Sequence, residues 1–227
     1  AVYAPTVVHR SISWRDQIAW AMDKYVLPEF GDRVMETITR NELQRFFNRL
    51  GQGQLNASSL GRVKIVVSGI FNLAELDGVV AKNQVRGVRL PSAQPSRKRA
   101  LTPEELSTLL RACDDRLRPF VLLTGFCGLR AGEALAVTRS ALKGGLLSVT
   151  QQVLQPKGGC IITPKLKTPQ SRREIPLPAA LEHDLLNSGQ VSVVYVCSDS
   201  MGGYLTPNNA ARDLEVAVRA SGIPRVT

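Results

Sequence analysis

"LTGFCGLRAGEAL", Leu123–Leu135, sets one arginine into a run of apolar residues and glycines. Arg130 follows Gly128 and Leu129, and Glu133 comes three positions later. The overlapping stretch "RPFVLLTGFCG" is apolar almost all round, which predicts a buried helix ended by Gly125 and Gly128. "RAGEALAV" then restarts a helix in a new direction. A permanent cation at such a corner is costly to bury alone. Arg130 must therefore pair with Glu133 and pin the corner, or face an anion supplied from outside. Its planar fork suits a phosphate, because it donates two parallel hydrogen bonds and cannot lose its charge. A neighbouring glutamate can orient that fork without cancelling its purpose.

Working outward, "LLSVTQQVL", "GCIITPKLK" and "SRREIPLP" read as three strands joined by Gly- or Pro-containing turns. "AALEHDLLNS" reads as a helix and "VSVVYVCS" as an extended piece. "TPNNAARDLEVAVRASG" opens on Thr-Pro and closes on glycine, as a helix should. Upstream, Thr102-Pro103-Glu104-Glu105 supplies an N-cap, a proline at the first helical position and a glutamate at the third. The stripe Leu106, Leu109, Leu110, Cys113 follows it.

The first ninety residues carry helical periodicity throughout. "WRDQIAWAMDKYVLPEFGD" is expected to stop at Pro28 and Gly31. "TRNELQRFFNRL" has Thr39 and Glu42 at capping-box spacing and places Leu43, Phe46, Phe47 and Leu50 on one stripe. "SSLGRVKIVVSGIFNLAELDG" starts at a serine, ends at Asp77-Gly78, and aligns Leu60, Val63, Val67, Ile70, Phe71 and Ala74. Arg62 and Lys64 lie off that stripe. A short segment around Lys82–Val88 closes the unit. Between the halves, "LPSAQPSRKRALTPEEL" reads as an extended linker bearing Arg97, Lys98 and Arg99. The fold class is thus mainly α with a small antiparallel β-sheet. It divides into an all-helical unit over 1–90, a basic linker over 91–100 and an α+β unit over 101–227.

The formal net charge is +10. An excess of that size points to a polyanion, since clustered Lys and Arg release counterions from phosphates; a basic surface that merely aids solubility is the plainer alternative. Residues 1–96 hold 12 Lys+Arg against 8 Asp+Glu, and residues 97–227 hold 17 against 11, so both halves can face the same partner. Cys113, Cys127, Cys160 and Cys197 are widely spaced with no C-x-x-C pairing, and only His9 and His183 accompany them, which argues against a structural zinc site. Buried thiols in a reducing cytoplasm fit that pattern. There is no apolar run of membrane-spanning length and no secretory leader.

"TGFCGLRAGEALAV" resembles the first conserved box of the tyrosine recombinases, the phage-integrase family, roughly T-G-x-R-x-x-E-L. "PKLKTPQSRREIPLP" is similar to that family's β-hairpin, in which Lys-Thr is followed within a few residues by Arg and then "IPLP". "GGYLTPNNAARDLEVAVRASGIPRVT" resembles the helix leading into the second box. The N-terminal unit, with "YVLPEFGD" and "TRNELQRFFNRL", is similar to the family's core-binding domain. The resemblance implies phosphoryl transfer without cofactor, metal or ATP, through a 3′-phosphotyrosyl bond to double-stranded DNA. It implies that Arg130 sits on the non-bridging oxygens and that Lys167, on a mobile hairpin, is the general acid. Glu133 buttresses the corner and Arg173 is the hairpin arginine. Both units would close on a duplex as a clamp, with Arg62, Lys64, Arg97, Lys98, Arg99 and Arg172 as further DNA contacts. Homo-tetramers are typical of the family.

The family continues past "GIPRVT" into an H-x-L-R-H box and then its tyrosine, whereas this sequence ends at Thr227. Neither histidine stands at the second-box position, and Tyr3, Tyr25, Tyr195 and Tyr204 all precede it. The expectation is a truncated recombinase that grips DNA and does not cut it, as an excised fragment starting at Ala1 would be. A non-catalytic DNA-binding regulatory module is the rival from another class, with Arg130 and Lys167 as simple phosphate holders. A nucleotide-binding enzyme using "TGFCG" as a phosphate loop is disfavoured, because no Gly-Lys-Ser/Thr follows and no strand precedes it.

Overall fold

The computed structural model describes residues 11–53, 55–91, 99–188 and 192–224. The chain divides into two compact units, Ala1–Ser96 and Arg97–Thr227. In the first unit, α1 (Ile12–Ala21) starts at Ser11, whose hydroxyl accepts from the Trp14 N–H. A π turn, Met22–Val26, leads directly into α2 (Leu27–Phe30). Pro28 therefore does not stop the helix as the sequence suggested. The wider turn, in which the Leu27 N–H reaches back to the Met22 carbonyl, shifts the hydrogen-bond register just where proline would clash.

Helix α3 (Arg40–Gly51) has the full Thr39/Glu42 capping box, and its stripe Leu43, Phe46, Phe47 and Leu50 is buried. Arg33 and the Thr39 groups hydrogen-bond the Glu42 carboxylate, Arg33 most strongly, and hold its pKa down at about 2. Helix α4 (Ala57–Leu76) is capped by Asn56 rather than by a serine, and it buries Val66 in addition to the expected stripe, with Ile70 packed at the core's edge. Phe30, Phe46 and Phe47 meet edge-to-face at centroid distances of 5.1 and 5.2 Å, forming the centre of this core. A 3₁₀ turn, Gln84–Gly87, follows; Asn83 anchors it by accepting from the Val85 N–H and donating to Ser68 and Asn72.

In the second unit, α5 (Pro103–Ala112) begins with the Thr102/Glu105 capping box. Helix α6 (Arg118–Gly125) is buried from Pro119 to Leu123. After it the chain turns through Gly128, whose φ of 62° lies in the left-handed region that glycine enters without strain. Helix α7 (Ala131–Leu135) restarts beyond the corner. The strands are β1 (Leu142–Lys143), β2 (Leu146–Val149), β3 (Gln152–Leu154), β4 (Ile161–Thr163) and β5 (Arg173–Pro176).

The single small sheet expected from sequence is two antiparallel sheets. One has the order β1-β2-β5, with Leu147 opposite Ile175, and the other is the β3-β4 hairpin. "LLSVTQQVL" is thus not one strand. It breaks at Thr150-Gln151, where the Gln151 side chain turns to donate to the Ala136 carbonyl. Helix α8 (Ala179–Asn187) follows β5, and α9 (Pro207–Ser221), capped by Thr206 and closed by Gly222 at φ 68°, packs against α5. The "VSVVYVCS" segment contributes isolated bridges, Thr138 to Tyr195 and Ser198 to Tyr204, rather than a strand. No helix of the described residues is long and apolar enough to cross a membrane.

Phe47 is fully buried at the junction of α3 with the aromatic cluster. Phe47→Ala is expected to destabilise the first unit by about 3–5 kcal/mol, read from the midpoint of urea unfolding.

Candidate phosphate-binding site

Arg130 occupies the N-cap position of α7 in extended conformation, which places Glu133 at the third helical position, one turn inward. The Arg130 N–H donates to Glu133 Oε2 at 3.1 Å, the reciprocal half of a capping box. An arginine side chain only donates, so it cannot supply the other half. Between the two residues, Gly132 is required by packing: a Cβ there would stand 2.6 Å from the Val153 carbonyl oxygen, so α7 lies against β3 only because position 132 carries no side chain.

Glu133 is 1% exposed yet charged, and its oxygens are fully engaged. Arg130 Nη1 donates to Oε1 at 2.7 Å, and Arg173 Nη2, arriving on β5, donates to Oε2 at 3.0 Å. Burial by itself pushes the Glu133 pKa up, but the hydrogen bonds from Arg173 and Arg130 outweigh it and hold the group below its ordinary value. One carboxylate thus faces two guanidiniums, and the cluster keeps a net positive charge. Arg130 pins the corner with one edge of its fork, as the pairing reading expects, and remains 54% exposed. Nε and Nη2 have no partner among the described residues.

The same Nη1 also donates to Ser171 Oγ at 3.1 Å. Ser171 is buried; its hydroxyl lies 3.0 Å from Thr168 Oγ1 and its carbonyl accepts from Arg173 Nη1 at 2.8 Å. Lys167 directly precedes Thr168. It is exposed, without a hydrogen bond or ion pair among the described residues, and lies in the connection between β4 and β5 rather than within a hairpin. Gln152 holds that connection to β3 by donating to the Lys165 carbonyl at 2.6 Å. Two hydroxyls therefore join the Lys167 segment to Arg130.

The remaining residues proposed from sequence fall elsewhere. Arg172 is exposed and donates to the Pro164 carbonyl, and Arg99 pairs with Glu105 at 2.7 Å. Arg62 is exposed on α4, whereas the Lys64 ammonium is tied to the Val88 carbonyl at 2.6 Å. Arg97, Lys98, His9 and Tyr3 lie outside the described residues. His183 hydrogen-bonds Asn187 on α8. The Tyr204 hydroxyl donates to the Cys160 carbonyl, its ring packs edge-on against Tyr195 at 5.6 Å, and Tyr25 is buried in the first unit's core. Burial raises the thiols of Cys113, to about 11, and of Cys127 and Cys197, so these stay protonated.

One feature of the first unit was missed from sequence. Arg40, Asn41 and Gln44 of α3, Arg86 of the 3₁₀ turn and Arg89 just after it line a hollow of about 560 Å³. Gln44 fixes it by hydrogen-bonding both the N–H and the carbonyl of Arg89, at 2.9 and 2.6 Å. Arg86 is held by Glu75 at 2.7 Å, while the Arg40 and Arg89 guanidiniums have no partner among the described residues. The three arginines are separated by up to 49 positions, so no local pattern announced them.

No family model matches the chain. Among curated proteins it is similar to one from Mycobacterium tuberculosis named "Putative prophage phiRv2 integrase", with 26% identity over 218 residues, covering 89% of this chain and 56% of that protein. The chain thus spans little more than half the length of the curated relatives it matches. Among solved structures it is similar to the Tn1549 transposon integrase in complex with a circular intermediate DNA (TM-score 0.79, 16% identity, 99% of this chain and 81% of that one). It is also similar to a lambda integrase dimer bound to a COC′ core site (TM-score 0.75, 20% identity, 99% and 80%) and to a lambda integrase tetramer bound to a Holliday junction (TM-score 0.75, 20% identity, 99% and 63%). The resemblance to tyrosine recombinases drawn from the motifs is matched by the fold: mainly helical, with small antiparallel sheets.

Glu133→Gln is expected to cost about 3 kcal/mol at neutral pH, because a buried charge partner is withdrawn from two guanidiniums. The Glu133 pKa is lowered on folding, so its contribution is full above the ordinary glutamate value of 4.5 and is lost as pH falls through the lower folded value. The stability gap between wild type and Glu133→Gln, followed by urea unfolding against pH, is therefore expected to narrow only below about pH 4.5.

Proposed function

We propose that this chain, built on the fold of the tyrosine-recombinase integrases, holds duplex DNA for site-specific recombination. The observation that carries the reading is the exposed, Glu133-oriented edge of Arg130, joined through Ser171 and Thr168 to the segment bearing Lys167. Arg130 takes the non-bridging oxygens of one backbone phosphate and stabilises the extra charge of a pentacoordinate transition state. Lys167 protonates the leaving 5′-oxygen. Arg173 does not reach for DNA; its fork is spent on Glu133 and Ser171, and it supports Arg130. The parent protein cuts and rejoins strands through a 3′-phosphotyrosyl bond in the reducing cytoplasm, and its working assembly is a tetramer.

Within the 227 residues, the described tyrosines are engaged in packing, and no residue is assigned as the nucleophile. This polypeptide grips DNA without cleaving it. Arg62 and the Arg40/Arg89 hollow supply backbone contacts from the first unit. The rival reading, a DNA-binding module whose parent performs no chemistry, is separated from this one by the parent's sequence beyond "GIPRVT": an H-x-x-R box followed by tyrosine decides for recombination.

Duplex affinity is expected to fall linearly in log salt, and Arg130→Ala and an Arg40→Ala/Arg89→Ala pair are each expected to flatten that slope by about one unit per phosphate contact removed. Mobility-shift titration at several salt concentrations measures this; an affinity flat across salt overturns the proposal. A nicked suicide substrate incubated with this chain is expected to give no covalent protein–DNA adduct on a denaturing gel. An adduct would show that one of its tyrosines attacks.

A further inference from the structure

Ser171 and Thr168 join Arg130 to the Lys167 segment, and their own protons are constrained by the geometry. A guanidinium can only donate, so Ser171 Oγ accepts from Arg130 Nη1 at 3.1 Å. That leaves the Ser171 hydroxyl proton to be satisfied. Ser171 is 4% exposed, and a buried O–H that finds no acceptor costs about 1–3 kcal/mol. The acceptor at hand is Thr168 Oγ1, 3.0 Å away. If Ser171 donates there, the Thr168 oxygen is an acceptor in that bond and its own proton is released outward. Thr168 is exposed, next in sequence to Lys167, and has no other side-chain partner among the described residues. The Ser171 N–H, donating to the Thr168 carbonyl at 3.0 Å, fixes the two residues in one tight turn.

We propose that Thr168 is a further phosphate-binding residue, its hydroxyl donating to the same backbone phosphate as Arg130, and that Ser171 is the positioning residue that aims it. The proposal rests on the reading of Arg130 as a phosphate ligand. The chain of hydrogen bonds from Arg130 Nη1 through Ser171 to Thr168 leaves the other edge of the guanidinium and the Thr168 hydroxyl as the donors for the anion, and the polarisation by Arg130 makes the Thr168 proton a better donor. The hydroxyl adds a neutral contact beside two cations, one that fixes the orientation of the phosphate without attracting a second one.

Charge gives the test its discrimination. A neutral donor releases no counterion, whereas a guanidinium contact does. Thr168→Val, which keeps the shape and removes the hydroxyl, is expected to weaken duplex binding by the full chain about tenfold at fixed salt, with the log–log salt slope unchanged. Thr168→Ser is expected to restore it. Ser171→Ala is expected to weaken binding to the same degree, and combining it with Thr168→Val to add little further, since the two hydroxyls act as one device. Binding by Thr168→Val equal to wild type, or a loss that Thr168→Ser fails to rescue, overturns the proposal. A slope reduced as in Arg130→Ala also overturns it, because Thr168 would then act only by holding Arg130 in place. If wild type itself does not bind duplex, or Arg130→Ala leaves binding unchanged, the underlying reading of Arg130 fails instead.

Discussion

The second unit is organised around a carboxylate that would be ruinous without its partners. Glu133 is buried, ionised and surrounded by donors from two sides: Arg130 from the corner before α7, and Arg173 from β5, forty residues along the chain. Breaking such an arrangement leaves a buried charge uncompensated, which costs far more than a surface ion pair is worth. The corner, the short helix and the strand are therefore locked to one geometry. The lock is asymmetric in charge. Two guanidiniums meet one carboxylate, so the structure gains rigidity while one cationic edge stays available. Arg173 is consumed in the arrangement and Arg130 is presented by it.

The first unit solves a similar problem with neutral groups. Its arginines at positions 40 and 89 are brought to one hollow by Gln44, whose carboxamide satisfies both backbone groups of Arg89. Gly87 leaves room for the Arg40 side chain, since a Cβ there would stand 2.8 Å from Arg40 Cδ. No acid neutralises either head group among the described residues. In both units a guanidinium is left with cationic surface exposed: Arg130 shares Glu133 with Arg173, and Arg40 and Arg89 have no acid partner among the described residues.

Much of the architecture was legible in local sequence. The capping boxes at Thr39/Glu42 and Thr102/Glu105, the Thr206 start and Gly222 stop of α9, and the stripe of α3 all follow from short-range rules, because capping and amphipathic periodicity are satisfied within a turn or two of helix. Pro28 misled for a physical reason: its steric rule assumes α-helical register, and the π turn before it changes that register. The division of "LLSVTQQVL" between two sheets was equally hidden. A strand break leaves no mark in the sequence pattern when Gln151 finds an acceptor in Ala136, fifteen residues earlier in the chain.

The sequence alone determined the chemistry on offer: an arginine at a glycine-bounded corner, a glutamate one turn on, a lysine ahead of an arginine-bearing strand, and a basic excess in both halves. These are matters of residue type and short spacing. Tertiary structure alone decided how those groups divide their labour. Whether Arg130 also reaches Ser171, whether Arg173 faces inward and which arginines line the first unit's hollow depend on contacts between residues 40 to 49 positions apart. Hydrogen-bond geometry at that range is set by packing of whole elements, and no window of sequence contains it.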